Sequence, residues 1–268
     1  MSTPAAHSEA SNYFSRLSAV TLSSMVQLVR PASHPDAARA AAKHLRHAAL
    51  LLAIGAVVVL ALMIGFDTTE IGLMPPRGAP DLWPVRVLTD FGKAANVLWS
   101  LAGLLLLVAI LSPALHGPSR GPWRARLLRF GTQLQFVFFA VLVPILAGEV
   151  VKWIVGRGRP FVGGKANAFN FSHFAGTEAY ASFPSAHAIT GAALAFAVCA
   201  LWPRVRVAMI IYALLIIASR LVLLAHHPSD VVAGAVIGVV GAMFVRYWFA
   251  ARRLGFVIAQ DGAITPSI

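Results

Sequence analysis

The chain has 268 residues, of which 58% are hydrophobic and only 12% charged, with a mean hydropathy of +0.75. A soluble domain of this length carries roughly twice that charged fraction, so a membrane-embedded class is the better assignment. The single cysteine, Cys199, excludes an intramolecular disulfide and any cysteine-cluster metal site.

Residues 1–47 form a polar, alanine-rich N-terminal segment without a chemical motif. Within it, Tyr13 to Arg30 mixes apolar and hydroxyl residues, and two readings stay open: an amphipathic helix along the membrane, or a disordered tail. Six apolar stretches follow, at about 48–66, 95–115, 130–151, 185–203, 207–225 and 230–250. Most approach the roughly 20 residues that cross a bilayer as helix. Arg246 interrupts the sixth, where a long side chain near a helix end can snorkel to the interface. These stretches predict an all-α, polytopic membrane protein with six transmembrane helices in one domain, 48–251, followed by a C-terminal tail, 252–268. The first stretch starts late and is followed by Asp67 and Glu70 rather than by a small-residue cleavage site, so no cleaved signal peptide is expected.

Of the connecting segments, 67–94 contains Pro75, Pro76, Pro80 and Pro84, which exclude a long regular helix. Residues 116–129 make a short basic link. The third, about 152–184, is long and carries Gly156, Gly158, Gly163 and Gly164, then Phe161, Phe169, Phe171, Phe174, Tyr180 and Phe183. Those aromatics either shape an apolar entrance for a lipid tail or form an interfacial belt. The net charge of +12 does not point to nucleic acid, because the cations are spread between apolar spans. Of the 22 Lys and Arg, 14 fall on the termini and the second and fourth links. The positive-inside rule places that side in the cytoplasm and the other links outside.

Three motifs lie at or beside span ends on the outer side: Lys152-x6-Arg159-Pro160, Pro184-Ser185-Ala186-His187, and Ser219-Arg220-x5-His226-x3-Asp230. Lys152 ends the third span, where an ammonium is costly unless it reaches water or an anion. Arg159 follows past two glycines, so a point charge and a guanidinium fork can approach one oxyanion from different directions. Ser185 and His187 open the fourth span, where unpaired helix amides and the dipole favour an anion. Ser185 can add a hydroxyl donor, and a protonated His187 can protonate a leaving oxygen. Arg220 is a charge near a span end. Asp230, in the first turn of the sixth span, can accept a hydrogen bond from one ring nitrogen of His226 and leave the other as a nucleophile. Each motif alone has a bland alternative: snorkelling cations, a helix cap, or a carboxylate at a helix N-terminus. His227 is a rival to His226.

With all three motifs in order between Lys152 and Asp230, the chain resembles the type 2 phosphatidic acid phosphatase superfamily, which also includes glucose-6-phosphatase-like and vanadium haloperoxidase-like proteins. The resemblance implies that Lys152, Arg159 and Arg220 hold phosphate oxygens, with Ser185 and nearby amides, Ala186 among them, completing the cradle. It implies a phosphohistidine at His226, orientation by Asp230, and His187 as general acid, with no metal and no cofactor. One position departs from the family pattern: Ala186 stands where Gly is usual, which is tolerable in a helical backbone and harmful if positive φ is required. Glu149, His173 and Glu178 are candidate substrate contacts, although a local ion pair with Lys152 is the simpler reading for Glu149.

The function expected is hydrolysis of a lipid phosphomonoester or diphosphate at the outer face of a bacterial inner membrane. Undecaprenyl diphosphate, phosphatidylglycerophosphate, phosphatidic acid and lipid A are the candidate substrates. A lipid phosphotransferase using the same site is one alternative, and a non-catalytic anion or lipid transporter is another. The expected partners are the bilayer and its lipid phosphate, and the oligomeric state is left open.

Overall fold

Inside a bilayer only a helix or a closed barrel satisfies every backbone polar group, and this chain takes the helical solution. A computed structural model describes residues 4–115, 120–160, 162–164 and 166–267, without the side chains of residues 4–11. Phe161 lies outside the described residues. The helices are α1 (Pro4–Val29), α2 (Ala37–Gly65), α3 (Asp67–Leu73), α4 (Trp83–Asp90), α5 (Ala94–Ala114), α6 (Gly121–Val155), α7 (Ala186–Leu201), α8 (Arg206–Val222) and α9 (Pro228–Ala251). A small hairpin closes the chain, with β1 (Phe256–Ile258) antiparallel to β2 (Ile264–Pro266) and Val257 opposite Thr265.

Among the described residues, five segments are long and apolar enough to cross a membrane: Ala37–Gly65, Pro80–Ala114, Gly121–Val155, Pro203–Val222 and Pro228–Ala251. The fourth expected span, α7, has 16 residues, roughly 24 Å of helix against a hydrocarbon layer of about 30 Å. Its surroundings explain the shortfall. It packs between α6, α8 and α9 with Ala188, Ile189, Ala193 and Ala197 fully or almost fully buried, so protein rather than lipid sets its length. Close approach of α7 to α9 depends on Gly234 and Gly238. A Cβ on either would stand 2.5 Å from the carbonyl oxygen of Ser185 or Ile189 respectively. Small residues four apart let two membrane helices touch backbone to backbone.

At the end opposite the motifs, Phe136 of α6 meets Phe249 of α9 and Phe256 of the hairpin edge-on, with ring centroids 5.5 and 4.8 Å apart. The C-terminal segment is therefore folded onto the bundle. α2 begins at Ala37, earlier than the expected 48. Its first turns are alanine-rich, and Lys43 ion-pairs with Asp261 beyond β1 at 3.3 Å. Between the two readings of Tyr13 to Arg30, the structure has a helix. Tyr13 donates to the Ile110 carbonyl at 2.6 Å, near the end of α5, and the Trp248 indole of α9 donates to the Leu28 carbonyl at 2.9 Å. α1 thus lies across the non-motif end of the bundle, with Leu22, Met25 and Val29 exposed.

Candidate active site

Helix directions bring every motif residue to one end of the bundle. Lys152 occupies the last turn of α6, and Gly156 then ends that helix in the left-handed region at φ 55°. A Cβ at Gly156 would stand 1.8 Å from the Ser172 carbonyl oxygen, so only glycine permits this exit. The chain turns there into Arg157 and Arg159. Ser185 caps α7, Ala186 is its first residue and His187 its second. Arg220 lies in the last turn of α8, and Asp230 in the first turn of α9. Ala186 is helical and outside the positive-φ region, so its methyl group is accommodated where the family usually has Gly.

His226 is 3% exposed. Its Nδ1 lies 2.7 Å from the Ser182 carbonyl oxygen, whereas Asp230 Oδ2 is 4.0 Å away. A carbonyl can only accept, so Nδ1 carries the proton and Nε2 keeps its lone pair. The hydrogen bond anticipated from Asp230 is therefore made by a main-chain carbonyl, and the carboxylate stands just behind it. Asp230 is fully occupied elsewhere. Its Oδ1 accepts from Arg157 at 2.6 Å, and its Oδ2 accepts from the Ser182 hydroxyl at 2.6 Å and from the His227 amide at 2.8 Å. Burial, then Arg220 and Arg159, holds the His226 imidazole well below its usual range, so it is neutral at pH 7.

Below the histidine lies a cluster that the sequence motifs do not name. Arg157, fully buried, bridges Asp230 to Asp67 at the start of α3, with 2.8 Å to Asp67 Oδ2, and also donates to Ser229 and to the Ala168 carbonyl. Asp67 in turn accepts from the Ser229 amide at 3.0 Å and its hydroxyl at 2.5 Å. Glu70, one helical turn on and 1% exposed, has both carboxyl oxygens buried without a partner among the described residues. Burial, then Asp67 and Asp230, pushes its carboxyl up to about 7. His227, the rival nucleophile, is fully buried on the side of this cluster, and desolvation lowers its basicity.

The remaining motif cations each have a carboxylate or hydroxyl partner. Lys152 pairs with Glu149 at 2.5 Å, and Arg159 pairs with Glu178 through both its carbonyl and its carboxylate. Arg220 donates to the Thr89 hydroxyl of α4 at 2.8 Å. Lys152, Glu149, Glu178 and Tyr180 line one pocket of about 310 Å³. His173 stands apart, stacked on Phe171 and bonded to the Ile154 carbonyl. Phe169, Phe171 and Phe174 are exposed, and Phe174 packs on Trp153 with centroids 4.8 Å apart.

Ser185 Oγ, His187 Nε2 and Arg220 Nε are buried and make no hydrogen bond among the described residues. Buried polar atoms rarely go unpaired, and these three come from two helices, the start of α7 and the last turn of α8. Asp67, Thr89, Arg157, Ser182 and Ser229 are the residues that the motif reading missed. Asp67 carried a usable signal, as an acidic residue at a span end in a chain with only 10 Asp and Glu.

A sequence model described as the PAP2 superfamily matches residues 133–254. A protein named Lipid A 1-phosphatase from Rhizobium johnstonii is 33% identical over 177 residues, covering 66% of this chain and 71% of that relative. A protein of the same name from Rhizobium etli is 31% identical over 215 residues, covering 80% and 90% respectively. A protein named Bacitracin transport permease protein BcrC, from Bacillus licheniformis, is 25% identical over 176 residues, covering 64% and 81%. No solved structure matches the chain.

Proposed function

Because the chain belongs to the PAP2 superfamily, we propose that it is an integral membrane phosphatase whose substrate is a lipid phosphate. The observation that carries the reading is the set of polar atoms with no hydrogen-bond partner among the described residues, Ser185 Oγ, His187 Nε2 and Arg220 Nε, gathered beside a neutral histidine. A tetrahedral oxyanion would satisfy them together. Lys152 and Arg159 supply further positive charge at the same end, and the amides opening α7 point at the same anion. No resident cofactor enters the reading, and these cations offset phosphate charge without requiring a metal.

The chemistry follows from the tautomer. The Nε2 lone pair of His226 attacks phosphorus in line while the bond to the lipid oxygen breaks. That oxygen takes a proton from His187, and the phosphoryl group rests on His226. Water then attacks phosphorus and gives its proton to His187, the phosphorus–nitrogen bond breaks, and phosphate leaves. Nδ1–H stays bonded to the Ser182 carbonyl throughout, and the Asp230 carboxylate, 4.0 Å away, offsets the positive charge that develops on the ring. Glu149 and Glu178, each on a phosphate-binding cation, stand where they can meet the substrate headgroup.

The two relatives named Lipid A 1-phosphatase favour a lipid A phosphate over the other candidates, which stay on the panel as comparisons. The Arg-rich end carries 14 of the 22 Lys and Arg, which under the positive-inside rule puts the termini in the cytoplasm and the site at the outer face of a bacterial inner membrane.

The test is phosphate release by detergent-purified protein in EDTA, with His226→Ala beside it. The panel holds lipid A, undecaprenyl diphosphate, phosphatidylglycerophosphate and phosphatidic acid. Release that disappears in the variant is the expected result. Release that survives in His226→Ala would overturn the phosphohistidine step, and silence on every lipid would point instead to a phosphotransferase lacking its acceptor or to a binding protein.

A further inference from the structure

In-line displacement fixes where the lipid must lie. The nucleophile, His226, and the leaving oxygen stand on opposite sides of phosphorus, and the leaving oxygen faces His187. The apolar part of the substrate, attached through that oxygen, must therefore extend on the His187 side.

A groove of about 520 Å³ lies there, within the roughly 300–1,000 Å³ common for ligand sites. Asp90 and Asn96 line it, and Val97, Ser100 and Leu101 of α5 and Leu194 of α7 continue it. His187 and Leu194 are seven residues apart, two turns of one helix, so they share a face of α7 about 10 Å apart along its axis. The segment between α4 and α5 abuts the histidine itself, since a Cβ on Gly92 would stand 3.4 Å from His187 Cδ2. That segment is held in place. Tyr212 of α8 donates to the Phe91 carbonyl at 2.9 Å, and Asn96 donates to the Asp90 carbonyl at 2.9 Å. The groove thus begins at Asp90 and Phe91, next to the glycine that touches His187, and runs along the outer surface between α5 and α7. Polar at one end and apolar beyond, it matches an amphiphile with its head at His187.

We propose that this α4–α5–α7 groove binds one hydrocarbon chain of the leaving lipid, which makes Ser100, Leu101 and Leu194 determinants of chain-length preference. The inference rests on the phosphatase reading and adds to it the path of the leaving lipid's chain, along α5 and α7 away from His187.

Two simple esters separate the possibilities, hexadecyl phosphate and butyl phosphate, assayed on the full-length protein in detergent. Ser100→Trp fills the groove below its mouth. The ratio of kcat/KM for the hexadecyl ester to that for the butyl ester is expected to fall about tenfold. Leu214→Trp places the same bulk on an exposed face of α8 that does not line this groove, and should leave the ratio unchanged. Butyl phosphate turnover in each preparation reports a folded site, and if Ser100→Trp does not fold, Ser100→Leu carries the test with less bulk. Equal loss on both esters, or an unchanged ratio, overturns the groove assignment. Failure of the unmodified protein to hydrolyse either ester or any lipid of the panel is a different outcome and overturns the phosphatase reading beneath it.

Discussion

Glu70 couples the stability of the fold to pH. Its carboxyl is buried without a partner among the described residues, near two other carboxylates, Asp67 and Asp230, which already share the guanidinium of Arg157. A third buried negative charge has nothing to balance it, so the folded protein holds Glu70 protonated up to about 7, against 4.5 for the free side chain. An acid raised on folding binds its proton more tightly in the folded state. Its contribution to stability is complete below about pH 4.5, declines as pH rises, and is gone once pH passes about 7. At about 1.36 kcal/mol per pH unit the interval is worth roughly 3 kcal/mol. For a chain of this size that corresponds to roughly 6–12 °C in melting temperature. Glu70→Gln keeps the shape and removes the titration. Thermal unfolding in detergent at pH 5 and pH 8 should show the unmodified protein losing about that much more than the variant between the two conditions. The same pH dependence in both proteins, or a variant weakened equally at both values, would refute the argument.

Two further outcomes follow from the same cluster and its neighbour. Arg157→Met leaves Asp67 and Asp230 buried without their cation, and should cost about 3–5 kcal/mol of stability. Adding Asp67→Leu should recover part of that loss in the same melting experiment. Thr89→Val removes the hydroxyl that holds Arg220 NH1, and should weaken inhibition by inorganic phosphate about tenfold or more, since hydrogen bonds to charged groups contribute about 1.5–3 kcal/mol. Thr89→Ser, which keeps the hydroxyl, should restore it.

The bundle was readable because apolar runs of bilayer length leave the backbone little choice. All six expected spans coincide with helices, although α7 is short and α2 starts early. What sequence could not supply was the pairing between distant segments. His226 and Asp230 are four residues apart on paper, and a direct hydrogen bond between them is the natural reading. In three dimensions the His227 amide and Arg157 draw the Asp230 carboxylate away from the ring, while the end of the long third link brings the Ser182 carbonyl to Nδ1. Main-chain acceptors carry no residue identity, so no motif could have announced that one. Arg157 was hidden differently. It sits inside the first motif at a position that the motif leaves unspecified, and only its full burial between two carboxylates distinguishes it from a solvated cation.

Residues 133–254, the part that matches the family model, contain all three motifs but neither Asp67 nor Thr89. Yet Asp67 reaches across 162 positions to Ser229, and Thr89 across 131 to Arg220. The segment between the first two spans therefore packs against the motif residues although it lies outside the matched region. The same segment supplies Asp90, Phe91 and Gly92 beside His187 and leads into the groove. The proposed chemistry and its support are thus divided along the chain: the matched region carries the proposed reacting groups, and residues 66–101 hold Arg220 and Ser229 in place. If substrate choice differs between this protein and its relatives, residues 66–101 are where the difference should be sought. A swap of that segment alone should change which lipid is preferred, while His226→Ala in the swapped protein should still abolish turnover.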